Sequence, residues 1–359
     1  MSMSTKQDSK TLIIAITSVT ILLIIGGFLF FSLKYDDSNE PKETELIQQA
    51  PQMSAWIADW VWESGLEDLK KIADRLDSLQ VFAAYFDEKD GLYFTKDLHR
   101  ALPDILKVAK ENSLNSLYLT LVNDIMYAEG TEVQKDSALI TRLMATEESR
   151  EEHIKDILFA MNTYGFNGVD IDYEKINDSD WENVCAFYLE LYERLKPLGK
   201  KMRIVLEPRA PIERLILPEG PSYIMMAYNL FGNHSGPGPK ADHEFIEKLA
   251  KRMEKLPGNP VIAFSAGGFD WSSDNGKVTS LTEKQAEKLL LDTKATSKRD
   301  PKSGGVYFEY RDKDNIEHTV WYADKETFSQ WIRTASKAGI HNIALWRLGG
   351  LGKATLDSL

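Results

Sequence analysis

From about residue 55 onward the chain repeats one unit: a short run rich in β-branched and aromatic residues, then a stretch whose apolar residues recur every three or four positions. The first kind of run fits a strand and the second an amphipathic helix. Strand-like runs fall at 55–60, 79–86, 116–122, 168–174, 202–207, 223–229, 260–264 and 343–348. Helical patterns at 66–76, 102–111, 148–164, 181–195, 244–256 and 325–337 lie between most of them, and the connection near 212–217 is short. Eight such strands alternating with helices over about 300 residues predict an α/β fold of the (β/α)8 TIM-barrel type. An open doubly wound sheet is the competing architecture, but no glycine-rich phosphate loop follows the first strand. Residues 272–324 interrupt the pattern with one helical piece (283–291) and two β-rich pieces (306–310 and 318–322), which predicts a small insertion at the rim before the last helix.

The start of the chain is of another kind. Residues 12–33 carry no charge, and as a helix they reach about 33 Å, enough to cross a bilayer core. The run ends in Phe30, Phe31, Ser32, Leu33 and Lys34, without the small-x-small pattern of a cleaved signal peptide. Lys6 and Lys10 precede it, while Asp36, Asp37 and Glu40 follow Lys34, so the positive-inside rule places the N-terminus in the cytoplasm. The expected organisation is a cytoplasmic N-terminus (1–11), a transmembrane anchor (12–33), a polar linker (34–53) and an extracytoplasmic barrel (54–359) on a single-pass protein of the cell membrane. A net charge of −12 argues against nucleic acid as a partner. Cys185 is the sole cysteine and reads as core packing, and the six histidines form no close pair, so neither a metal nor a cofactor is expected.

The chemistry is concentrated at 167–174, which reads Asn-Gly-Val-Asp-Ile-Asp-Tyr-Glu. On a strand, Asp170, Asp172 and Glu174 share one face and Val169, Ile171 and Tyr173 the other. Inside a barrel, three acids so close repel one another and lose hydration, which raises the outermost carboxyl and keeps it protonated near neutral pH. That is the condition of a general acid. A solvated acidic edge strand is the plainer alternative, but the intervening apolar residues suit a buried strand. In a barrel the carboxyl ends of the strands carry the chemistry, and Glu174, Glu207, Tyr228, Asn229 and Trp346 all fall there.

These residues resemble the family 18 glycoside hydrolases, the chitinase and endo-β-N-acetylglucosaminidase family. Segment 167–174 is similar to that family's Asp-x-x-Asp-x-Asp-x-Glu motif, Met226-Ala227-Tyr228-Asn229 to its Met-x-Tyr-Asp motif, and Trp346 to its strand-eight tryptophan. The endings 344–349 and 320–322 look most like its bacterial cell-wall and exopolysaccharide branch. The resemblance implies cleavage of β-linked N-acetylglucosamine polysaccharide (peptidoglycan, exopolysaccharide or a chitin-like polymer) with retention, the substrate's own acetamido oxygen serving as nucleophile. It further implies that Glu174 protonates the leaving oxygen, Asp172 orients the acetamido group, Asp170 holds Asp172 and helps set its protonation, and Tyr228 donates to the acetamido carbonyl. Trp346 becomes the floor under the sugar, with Asn229, Glu207, Trp271 and His234 as further substrate-binding candidates. Trp60, Trp62 and Trp321 are considered for sugar subsites below Trp271. The chain departs from the motifs at Asn167 and Asn229, each in place of an aspartate, and strand three lacks the family's Ser-x-Gly-Gly pattern. A barrel retained only as a carbohydrate-binding lectin is the alternative, and such relatives typically lose the glutamate that is present here as Glu174.

Overall fold

The computed structural model describes residues 52–359, residue 275 excepted; the 12–33 segment lies outside the described residues. Eight strands make the barrel: β1 (Met53–Ala58), β2 (Ser78–Phe86), β3 (Leu117–Met126), β4 (Gly168–Asp172), β5 (Lys201–Leu206), β6 (Ser222–Met226), β7 (Val261–Phe264) and β8 (Asn342–Leu345). Each pairs in parallel with the next and β8 pairs with β1, so the sheet closes and leaves no barrel edge. The TIM-barrel expectation is met.

Strand alternation divides the apolar residues into two layers. Val169, Ile171 and Tyr173 join the large core between strands and helices, whereas Trp56, Phe82, Val122, Val205, Ile224 and Met226 fill the barrel interior. Register places Thr120 beside Asp170 and Asp170 beside Arg203, which lines up a polar layer inside the barrel below the apolar one. Gly168 opens β4 opposite Tyr118, and a Cβ there would lie 2.3 Å from the Tyr118 ring, so only glycine lets that ring cross the strand. Asn167, just outside, accepts from the Leu117 N–H (2.8 Å) and donates to the Asn115 carbonyl. It fastens the base of β3 to β4, far from the rim.

Two elements go beyond the sequence expectation. β3 runs past the barrel into a hairpin with Glu132–Val133, and a helix at Ser137–Met144 precedes the long one at Glu147–Tyr164. Between β7 and β8 a five-stranded antiparallel sheet forms, beginning at Gly267, ahead of 272, with a helix at Glu283–Thr293 and a core of Ala286, Val306, Phe308, Val320 and Tyr322. Cys185 is half-buried on the helix Trp181–Leu195 instead of in the core. Among the described residues no helix is long and apolar enough to cross a membrane.

Candidate active site

At the carboxyl end of the barrel a cleft of about 620 Å³ is lined by Asp172, Glu174, Tyr228, Asn229 and Trp346 together with Asp59, Trp60, Phe82 and Tyr85. Glu174, Tyr228, Asn229 and Trp346 lie just past the last ladder residues of β4, β6 and β8. Their backbone is held in other ways. The Glu174 N–H donates to Asn123 Oδ1 (2.9 Å), and the Trp346 N–H donates to the Phe264 carbonyl (2.8 Å).

The three acids of β4 take distinct environments. Asp170, fully buried, accepts from Trp56 Nε1 (2.8 Å), Thr120 Oγ1 (3.1 Å) and Arg203 Nε (3.0 Å). The guanidinium of Arg203 lies between the Trp56 and Tyr118 rings, and the Gln80 amide oxygen, turned toward it, accepts from Nη1 at 2.8 Å. No hydrogen bond joins Asp170 to Asp172 among the described residues: the Asp170 oxygens accept from Trp56, Thr120 and Arg203, and its charge is one of the causes that raise Asp172. Asp172 is pushed well above the usual carboxylate range by burial, then by the charges of Glu174 and Asp170. Its Oδ1 is buried and receives no hydrogen bond among the described residues, and the same holds for Asn229 Oδ1. Two acceptors in one cleft therefore lack protein donors.

Glu174 is raised to about 7, chiefly by burial. Lys135 opposes the rise, its Nζ meeting Glu174 Oε2 at 2.5 Å, while the charge of Glu207 adds to it. Burial alone would lower the Lys135 ammonium, but the Glu174 carboxylate, with Asp172 and Glu207 behind it, raises it instead. Glu174 and Asp172 thus titrate as a pair that holds a proton near neutral pH.

Lys135 is one residue that sequence reasoning missed. It sits in a left-handed conformation (φ 56°) on the loop between the β3 hairpin and the helix Ser137–Met144. Three anchors fix it there. Its N–H donates to Asp124 Oδ1 (2.8 Å); the next residue, Asp136, caps the helix through the Leu139 N–H (2.6 Å); and Asn123 Nδ2 donates to both the Asp136 (3.1 Å) and Glu174 (2.9 Å) carbonyls. Asn123 thereby ties the lysine loop to the backbone of Glu174. The only signal in the sequence is an Asp-Ser-Ala-Leu start of a helix after a polar run. Asp59 was missed as well: it lines the cleft and accepts from the Tyr85 hydroxyl (2.9 Å) and Thr95 Oγ1 (2.5 Å), and burial pushes its carboxyl up.

The remaining candidates divide. Tyr228 lies parallel to Trp346, with ring centroids 6.5 Å apart and planes 10° from parallel, and burial, then the acids nearby, push its phenol well above its ordinary value. It stays a neutral donor. Trp346 packs edge-on against Phe82 (5.0 Å) and Trp56 (5.9 Å), so its position is fixed by rings from β1 and β2. Glu207 accepts the Lys175 N–H (2.8 Å) beside Glu174 and makes no ion pair with Arg209 or Arg347 among the described residues. Two expectations need correction. Trp271 is buried in the inserted sheet, where it packs on Phe269 and donates to the Ser235 carbonyl (3.1 Å), so its surface is spent on bracing a loop. His234 is exposed on that loop and is not among the residues lining the cleft, whereas Trp60, 51% exposed, is.

Comparison with known proteins agrees with this geometry. The chain is 22% identical over 228 residues to the glycosylase YvbX of Bacillus subtilis, covering 60% of this chain and 66% of the relative. It is 22% identical to the cortical fragment-lytic enzyme of Bacillus anthracis over 56% of this chain and 50% of that one. The chain thus spans between half and two thirds of these relatives' length. Among solved structures, the spore cortex-lytic enzyme SleL of Bacillus cereus superposes with a TM-score of 0.73 at 17% identity, covering 86% of this chain and 73% of that one. A chitinase of Chromobacterium violaceum gives the same TM-score and identity, covering 86% and 98%. Those likenesses establish the fold. The family model for glycosyl hydrolases family 18 matches residues 130–350, more than half of the chain and the segment that carries Lys135, Asp172, Glu174, Tyr228 and Trp346. This chain belongs to family 18 of the glycosyl hydrolases.

Proposed function

We propose that the protein hydrolyses β-linked N-acetylglucosamine polysaccharide by a substrate-assisted retaining mechanism, outside the cell and tethered by residues 12–33. The observation that carries the reading is Glu174, a carboxyl held near pKa 7 at a cleft wall, next to a buried Asp172 whose Oδ1 lacks a protein donor. The protonated Glu174 gives its proton to the glycosidic oxygen as the bond from C1 breaks. The acetamido oxygen closes onto C1, while the acetamido N–H donates to Asp172 and the positive charge of the ring so formed faces that carboxyl. Glu174, now ionised, takes a proton from the water that reopens the ring, which returns the β configuration. Tyr228, a neutral phenol, donates to the acetamido oxygen, and the Trp346 face lies under the apolar face of the pyranose.

The curated relatives that attack spore cortex and the chitinase-like neighbours support a wall-type or chitin-type polymer as the substrate class. The test is incubation of the full-length protein with purified peptidoglycan and, separately, with N-acetylchitooligosaccharides, beside Glu174→Gln. New N-acetylglucosamine reducing ends are expected in mass spectra of at least one digest, reduced by about 10²-fold or more in the variant. Binding of oligosaccharide with no new ends from the parent protein would replace this reading with that of a lectin.

A further inference from the structure

A second cavity, of about 390 Å³, shares Trp60 and Trp346 with the catalytic cleft and extends toward the inserted sheet. Two cations line it. Lys240, partly buried on the loop after β6, donates from Nζ to Ser265 Oγ (2.9 Å) and the Ala266 carbonyl (3.0 Å) and lies over the Phe269 ring. Arg347, next to Trp346, stacks its guanidinium on the face of Trp60 (5.5 Å) and donates to the Leu348 carbonyl (3.1 Å). Neither makes an ion pair among the described residues, although the chain carries a net charge of −12. Buried or half-buried cations are ordinarily paired. The acid that does line this cavity, Glu283, is turned away, accepting from the Gly352 N–H (2.8 Å) and Thr355 Oγ1 (2.6 Å). The N-terminus of the helix Glu283–Thr293 also borders the cavity, its cap Thr282 and Gln285 among the lining residues, and adds positive potential.

We propose that this cavity is a subsite for a carboxylate carried on a sugar, seated between Lys240 and Arg347 beside the N-acetylglucosamine unit that rests on Trp346. The proposal rests on the polysaccharide reading above and narrows it to acidic polymers. Burial and then the Arg347 charge hold the Lys240 ammonium down at about 7, and the negative charge of a carboxylate entering between them would offset both by favouring the ammonium form. Hydroxyls of Ser265, Ser280 and Thr282 along the same wall suit the rest of a sugar ring. The carboxylate has two chemical sources, the lactyl ether of an N-acetylmuramic acid unit or the C6 acid of a uronic acid unit.

The test is equilibrium binding to the full-length Glu174→Gln protein, which is not expected to consume its ligand. Three probes are compared: neutral N-acetylchitotetraose, an alternating N-acetylglucosamine–N-acetylmuramic acid tetrasaccharide, and an alternating N-acetylglucosamine–glucuronate tetrasaccharide. At least one acidic probe is expected to bind about tenfold more tightly than the neutral one, in line with a charge-assisted contact, and the one that does identifies the source. The preference should disappear when Lys240→Met is added, survive in Lys240→Arg, and shrink as salt rises. Tight neutral binding with no acidic preference, or a preference indifferent to Lys240→Met and to salt, would overturn the subsite alone. Failure of all three probes to bind would contradict the polysaccharide reading, and the subsite with it. Because salt acts on the unmutated pocket, the result stands even where Lys240→Met fails to fold.

Discussion

Glu174 owes its protonation to a balance of neighbours. Burial and the Glu207 charge raise its carboxyl, and Lys135 at 2.5 Å lowers it, with about 7 as the outcome. The sign of each substitution follows. Removing the ammonium in Lys135→Met leaves the protonated form favoured over a wider range, so the alkaline limb of the kcat/KM profile should move to higher pH by on the order of one unit. A limb that stays in place or moves down in a folded Lys135→Met protein would show that the lysine does not tune the acid. The placement of Asp172, Glu174, Tyr228 and Trp346 at one cleft was legible because spacing on strands determines which face a side chain takes. Lys135 was not legible, since a lysine in a polar run looks like any solvated charge until the Asp136 cap and the Asn123 bridge place it against Glu174.

Strands β3, β4 and β5 act together as one element of the site. Their register brings Thr120, Asp170 and Arg203 side by side, and the Arg203–Asp170 pair is buried at 5% and 0% side-chain exposure. Pairing makes that burial tolerable, and removing one partner leaves the other charge stranded. Arg203→Met should therefore lower the unfolding free energy by roughly 3–5 kcal/mol in urea denaturation, and a loss under about 1 kcal/mol, the size of an exposed pair, would mean that Asp170 takes up a proton instead. The eight strands were readable from their alternation, but their ends were not. The expected runs 168–174, 223–229 and 343–348 overshoot the ladders, because Asn123 and the neighbouring strands' carbonyls replace ladder partners at the rim. The helix at Ser137–Met144 escaped notice because it is short and runs almost directly into a longer one. Trp271 was misjudged for a related reason: in an alternating sheet, a tryptophan near a strand end can face either way, and here it is buried against Phe269 and the Ser235 loop.

At the scale of the whole molecule, a closed barrel carries at its carboxyl end a cleft on which acids from β4, a lysine from the β3 loop and aromatic rings from β1, β2, β6 and β8 converge. The proposed attachment to a membrane through the uncharged 12–33 segment is tested at this scale. Full-length protein is expected to remain with membranes through a high-salt wash and to be released by detergent, while deletion of 12–33 should leave it in the supernatant. Release of the intact chain by salt alone would argue for surface adhesion in place of an anchor. The central claim is that Glu174 acts as the acid of a substrate-assisted retaining reaction, and time-resolved proton NMR of N-acetylchitooligosaccharide or peptidoglycan cleavage tests it most directly. The account predicts that new N-acetylglucosamine ends appear first as the β anomer and that Glu174→Gln produces none at a comparable rate; α ends appearing first, or parental turnover by the variant, would contradict it.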